Sequence, residues 1–191
     1  MQHTVQQEIK GVVAFVAAIW AMFLLECFVP SLTSFGLTPR TLVGLMGIPA
    51  MPFLHHNLQH ITSNTVPLFV LLILLAGSRA RSWEVVTGIV LLGGGLLWLC
   101  GRSVTHIGAS GLIFGLIAFL MVSGCLERRF IPLAISIAVT FFYGGTLISG
   151  VIPRLGSHIS WDGHHFGAIA GGIVAFLLTR SQKQSMPESR L

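Results

Sequence analysis

The sequence predicts an all-α membrane protein: a bundle of six transmembrane helices forming one domain over residues 1–191, with both termini cytoplasmic. Three observations carry this. Of the 191 residues, 53% are hydrophobic and only 9% are charged, with a mean hydropathy of +0.85. Ordinary soluble domains carry about 25% charged residues. Several apolar stretches also approach the ~20 residues needed to span a bilayer. Finally, lysine and arginine alternate between rich and poor connections, as six crossings require. Lys10, Arg79, Arg81, Arg128, Arg129, Arg180, Lys183 and Arg190 fall on one side and Arg40, Arg102 and Arg154 on the other, eight against three. The richer side is the cytoplasmic one.

Residues 1–10 are a short polar head, and 11–29 form the first span, interrupted only by Glu26 near its far end. A signal peptide would also put a basic residue before an apolar core. This core is long for one, and no A-x-A pattern follows Leu25, so a retained helix is expected. Residues 30–59 make a long connection holding Pro30, Pro39, Pro49 and Pro52 among apolar Leu42, Val43, Met46 and Phe53. It is expected to lie partly sunk in the membrane surface, without regular structure, and such loops tend to be functional.

The second span covers 60–77 with Pro67 in an early turn, and the third covers 83–101 with Gly93-Gly94-Gly95 at its middle. The fourth, fifth and sixth cover 108–126, 130–152 and 163–179. Residues 181–191 are a polar cytoplasmic tail.

Composition removes other classes. The formal charge of +5 is scattered among loops, with no Lys/Arg run to make a phosphate-binding stripe, so nucleic acid is not an expected partner. The three cysteines, Cys27, Cys100 and Cys125, lie in or at the ends of apolar runs and read as small hydrophobes.

In this topology the second, fourth and sixth helices all begin at the outer face. Their first turns carry His60 and Asn64, Ser110, and His164. Polar groups within a bilayer are costly and tend to be functional. Ser110 sits in Gly108-Ala109-Ser110-Gly111-Leu112-Ile113-Phe114-Gly115, within a run free of charge from Ser103 to Leu126. Alone, serine and glycine there would be packing residues.

Beside His164, Ser110 becomes a nucleophile with a general base, because a hydroxyl is a weak nucleophile until an imidazole takes its proton. Gly111-x-x-x-Gly115 and Gly163-x-x-x-Gly167-x-x-x-Gly171 supply faces on which two backbones can approach. His164 and Gly167, three apart, share one of those faces. His60 and Asn64, four apart, share another and can donate to a developing oxyanion, as can the Ser110 N–H at the positive end of its helix. Asn64 could otherwise make an interhelical hydrogen bond. Asp162, the chain's single aspartate, points away from His164 on a helix, so a Ser-His dyad is expected, with Asp162 as a surface residue or one at the helix start. His165 competes with His164 as base, but adjacent helical residues face about 100° apart and the glycine spacing favours His164.

Together these residues resemble the rhomboid family of intramembrane serine proteases, in its bacterial branch. The likeness rests on Gly108-x-Ser110-Gly111, His60-x-x-x-Asn64 and Gly163-His164-x-x-Gly167-x-x-x-Gly171, with Pro52-Phe53-Leu54-His55 and Ser160-Trp161-x-Gly163-His164 beside them. It covers nearly the whole chain. The resemblance implies a six-helix core opened by lateral or loop gating, with a water-accessible site sunk below the outer surface. It implies Ser110 as nucleophile and His164 as general base and acid. His60, Asn64 and the Ser110 amide become the oxyanion hole, and Gly108 the loop that lets substrate backbone approach.

The implied substrates are single-span membrane proteins cut near the outer end of their helix, with small residues at the cleaved bond. No cofactor or metal is implied, and no protein partner beyond substrates and the lipid bilayer. A bacterial plasma membrane is the expected location. Two departures stand out. Many members have tyrosine four residues after the nucleophile, where Phe114 keeps a stacking face without the hydroxyl. The Trp-Arg pair often found in the first long loop is also missing, leaving Arg40 without its tryptophan.

Two other classes compete. His55, His56, His60, His106, His158, His164 and His165 all fall on the outer side, so metal handling must be weighed. His56 and His60 at i, i+4 could share a metal, but no acidic residue accompanies them and H-E-x-x-H is missing. Transport asks for polar groups near the midplane, whereas these cluster at one end. The other competitor is an inactive rhomboid-like protein that binds membrane clients without cutting them.

Overall fold

A computed structural model describes residues 5–78, 81–153 and 160–185, with side chains as far as 181. Arg79, Arg154, His158 and Arg190 lie outside the described residues, as does the side chain of Lys183. The chain runs α1 (Val5–Phe28), a 3-10 turn (Pro30–Phe35), α2 (Leu42–Ala50), a second 3-10 turn (Met51–Phe53), α3 (Leu58–Ser78), α4 (Ser82–Cys100), α5 (Ser110–Glu127), α6 (Phe130–Val151) and α7 (Trp161–Ser185). It is a helical membrane bundle, with one isolated bridge, Leu37 to His106, as the sole β pairing among the described residues. Helices α1, α3, α4, α5 and α6 are long and apolar enough to cross a membrane. The apolar stretch of α7 is diluted by Asp162, His164 and His165 at one end and Arg180 at the other.

Helix α5 is the centre. It is apolar all round, which marks a helix surrounded by protein, and Leu116, Ile117 and Phe119 are fully buried. Its tightest neighbour is α7, and the glycine steps explain how. A Cβ added at Gly167 would strike the carbonyl oxygen of Gly111, and one at Gly171 the carbonyl oxygen of Gly115. A Cβ at Gly115 would lie 3.0 Å from the Gly167 carbonyl oxygen. The two backbones therefore touch over successive turns, as small residues allow in a membrane helix pair. Helix α4 closes on the same seam, where a Cβ at Gly93 would sit 3.4 Å from Ala170.

The connection over 30–59 is more regular than expected. Thr41 caps α2 by accepting the Gly44 N–H at 3.0 Å. Gly44 and Gly47 press that short helix onto the backbone of Thr38 and Leu37, where side chains would collide. Capping and two close approaches thus order a stretch whose four prolines argued for irregularity; Pro49 falls in the last turn of α2 and the chain passes into the 3-10 turn behind it. Leu42, Val43 and Met46 of α2 remain exposed, an apolar face suited to lipid. Arg40 finds partners despite its missing neighbour. Its guanidinium donates to the Gly101 carbonyl at 2.8 Å and the Ser103 hydroxyl at 2.6 Å, while Trp98 of α4 donates to the Thr41 carbonyl at 2.8 Å. A tryptophan and an arginine do brace this loop, from different elements.

Polar contacts of Trp20 and Glu26 help tie helix α1 on. Trp20 donates to Thr65 at 3.1 Å, and the Glu26 carboxylate accepts the backbone N–H of His55 at 3.1 and 3.2 Å. His55 is itself buried, which pushes its pKa down to about 4, helped by the neighbouring His60. An unfolded chain would take that proton near 6.5, so between about pH 6.5 and 4 the unfolded state holds more protons and stability falls as pH drops. In detergent, the thermal midpoint is expected to fall over this window. His55→Gln should fall less steeply, and an unchanged slope would remove His55 as the cause.

Candidate active site

The loop before α5 is pinned at two points close to Ser110. His106 and Leu37 exchange backbone hydrogen bonds at 2.8 and 2.9 Å, and the Gly108 N–H donates to the Met51 carbonyl at 2.9 Å. Gly108 has φ +110°, a conformation open to glycine. A Cβ there would lie 2.6 Å from His60 Nε2 and 3.6 Å from Asn64 Nδ2. Ala109 occupies the N-cap of α5 and offers no side-chain acceptor, so the first-turn N–H groups, Ser110 among them, are not capped from the side chain.

Ser110 Oγ lies 3.0 Å from His164 Nε2. His164 Nδ1 lies 3.1 Å from the Gly150 carbonyl oxygen near the end of α6. A carbonyl can only accept, so this contact places the ring proton on Nδ1 and leaves the Nε2 lone pair to receive the Ser110 O–H. Phe114, one turn beyond Ser110, stacks on the His164 ring with centroids 4.1 Å apart and planes 1° from parallel. Gly150 must come close for this, since a Cβ on it would strike the Phe114 ring. Ser110 and Phe114 of α5, Gly150 of α6 and His164 of α7 therefore form one layered unit.

Asn57 caps α3 by accepting the His60 N–H at 2.8 Å, which sets the turn carrying His60 and Asn64. Asn64 is buried, and its Nδ2 has no hydrogen-bond partner. Buried donors are nearly always paired, and exceptions call for an explanation such as a catalytic role. The donor faces the Gly108–Ser110 corner. A cavity of about 920 Å³ opens there, lined among others by His60, Asn64, Ser110, Phe114, Tyr143 and His164.

Asp162 needs correcting on one point. It stands in the first turn of α7 but is buried, not on the surface. Its carboxylate accepts the Arg102 backbone N–H at 3.0 Å and two guanidinium N–H groups at 3.0 and 3.3 Å. It therefore turns toward the α4–α5 loop and not onto His164. His165 is exposed, its ring edge-on to Phe166 at 5.7 Å, and does not reach Ser110. His56 stacks over His60 at 6.3 Å. Among the described residues no three His, Cys, Asp or Glu side chains are grouped to hold a metal ion. Cys27, Cys100 and Cys125 are free and exposed.

Residues 40–181 match the Rhomboid domain. The chain belongs to the rhomboid family. Its relatives include an uncharacterized protein of Mycobacterium tuberculosis H37Rv, 39% identical over 186 residues that cover 91% of this chain and 76% of that protein. An uncharacterized protein of Mycobacterium leprae is 45% identical over 152 residues, covering 74% of this chain and 59% of that one. No solved structure matches. This rhomboid is accordingly a multi-pass membrane protein of plasma-membrane type, from a family of intramembrane proteases and their homologues that act on transmembrane proteins within the bilayer.

Sequence reasoning overlooked the Gly150 carbonyl and the Arg102 partner of Asp162. A backbone acceptor leaves no signature in residue type, and the Arg102–Asp162 pair spans 60 positions.

Proposed function

We propose that this rhomboid is an intramembrane serine endopeptidase, cutting single-span membrane proteins near the outer end of their helix with a Ser110–His164 dyad. The supporting observation is the Ser110–His164 hydrogen bond, with the far side of the imidazole held by Gly150. A substrate carbonyl in the cavity above Ser110 is attacked by Oγ as His164 Nε2 takes the hydroxyl proton. The oxyanion that forms accepts from Asn64 Nδ2, a His60 ring N–H and the Ser110 backbone N–H, groups already oriented before reaction. The tetrahedral intermediate collapses as His164 returns its proton to the leaving amine, giving an acyl-enzyme on Ser110. Water, deprotonated by His164, then releases the new carboxyl terminus and frees the serine.

The stacked Phe114 ring keeps the imidazole in plane through both transfers. With α7 taken as a sixth span beside the five apolar helices, both termini are cytoplasmic and this site lies at the outer face, the reading that the lysine and arginine distribution supports. The test is cleavage of a model single-span substrate by purified protein in lipid vesicles, with and without chelator.

Asn64→Ala is expected to lower kcat by about 10²–10³-fold with little change in KM. The amide nitrogen removed has no partner in the resting protein, so the thermal midpoint should stay near wild type. An unaltered kcat would take Asn64 out of the oxyanion hole.

A further inference from the structure

The nucleophile and the base sit on different helices, and a buried polar cluster ties together the two chain segments just before them. Arg102, in the loop leading to Ser110, grips Asp162, two residues before His164, through its backbone N–H and guanidinium. The same guanidinium lies 5.0 Å over the Trp161 ring. His106, in the same loop, adds a second tie: Nδ1 is 2.6 Å from the Ser160 hydroxyl and Nε2 is 3.2 Å from the Arg102 carbonyl. The carbonyl accepts from Nε2–H, which leaves Nδ1 facing the Ser160 hydroxyl; burial lowers the pKa of this ring, against the pull of Asp162. Asp162 and His106 are both about 2% exposed, whereas the Arg102 side chain is 38% exposed and borders the cavity.

We infer that the Arg102–Asp162 pair, braced by His106 and Ser160, is a positioning latch that sets the Ser110–His164 distance from outside the dyad. Resting on the protease reading above, it assigns Arg102 and Asp162 to positioning, with no contact to the reacting atoms. Buried charge pairs are weak as net stabilisers but costly to break on one side. Releasing this one leaves the Ser110 loop tied to the start of α7 through His106 and Ser160 and so loosens the join, and a misplacement near 1 Å at a reacting pair costs about 10²-fold in rate.

The test follows two rates in purified protein in detergent or lipid: labelling of Ser110 by a small fluorophosphonate, and cleavage of a single-span substrate. Arg102→Ala and Asp162→Asn are each expected to slow labelling and kcat by about 10–100-fold, with KM within about threefold of wild type. Arg102→Lys, which keeps charge but loses the fork, should fall between. Because the arginine site borders the cavity, added guanidinium ion should restore labelling in Arg102→Ala and leave Asp162→Asn unchanged.

Wild-type rates in Arg102→Ala would overturn the latch. So would a loss accompanied by a lower thermal midpoint that guanidinium does not repair, because the pair would then be structural only. The two readings separate cleanly. Wild type labelled at Ser110 with an unaffected Arg102→Ala removes the latch alone, whereas wild type that neither labels nor cleaves removes the dyad and the latch with it.

Discussion

Ser110→Ala and His164→Ala are each expected to abolish cleavage of a single-span substrate in lipid vesicles, with chelator making no difference to wild type. In serine proteases, losing either the nucleophile or the base costs about 10⁶-fold in kcat, and the double variant is hardly worse, because the two act as one unit. The same should hold here, since Nε2 of His164, 3.0 Å from the Ser110 hydroxyl, is its proton acceptor. His165→Ala is the control, its ring being exposed and facing Phe166. Cleavage that survives Ser110→Ala would sink the proposed nucleophile. Chelator sensitivity would bring the histidines around His60 forward as metal ligands. Folded wild type that binds several substrates and cuts none would favour a client-binding rhomboid homologue.

The second large effect is expected at the α5–α7 seam. Gly171→Ala places a methyl group against the Gly115 carbonyl oxygen, which belongs to a helix backbone and cannot swing aside. Overpacking of a close-packed interior costs about 1–3 kcal/mol, and contact with a backbone lies at the upper end. For a chain of this size that is a fall of roughly 10 °C in thermal midpoint. Gly172→Ala is the matched control, because a Cβ there meets nothing within 4 Å. Thermal unfolding in detergent should separate the two variants clearly. Equal midpoints would mean that the seam does not depend on glycine.

The seam also governs chemistry, since α5 carries Ser110 and α7 carries His164. Any residue larger than glycine at Gly167 or Gly171 would collide with the α5 backbone and push apart the two helices that carry nucleophile and base. Activity is therefore expected to fall faster than stability in a series of graded substitutions at these positions.

Much of this was legible in the chain itself, because the controlling forces are local. Apolar runs of helical length mark the spans, since a bilayer leaves unpaired backbone no other outlet. The i, i+4 spacing of His60 and Asn64 puts them on one face, and the glycine steps at 111, 115, 163, 167 and 171 announce a close crossing. Phe114 four residues after Ser110 likewise put an aromatic ring within a turn of the hydroxyl.

What tertiary structure alone decided concerns partners distant in sequence. Gly150 orients His164 through a backbone carbonyl 14 residues away, a group every residue possesses and no motif can flag. Asp162 could be read as a residue of the helix start, but its burial could not, because its partner, Arg102, lies 60 positions earlier and meets it only once α4, α5 and α7 have packed. The order in the 30–59 connection likewise depends on the segment folding back until Gly44 and Gly47 touch Thr38 and Leu37. Periodicity and hydropathy report how a segment meets its surroundings, and they determined the membrane class, the long helices outside the 30–59 connection and the faces bearing the polar groups. Hydrogen bonds require atoms to meet at about 3 Å, and which atoms meet is settled only when the helices close on one another.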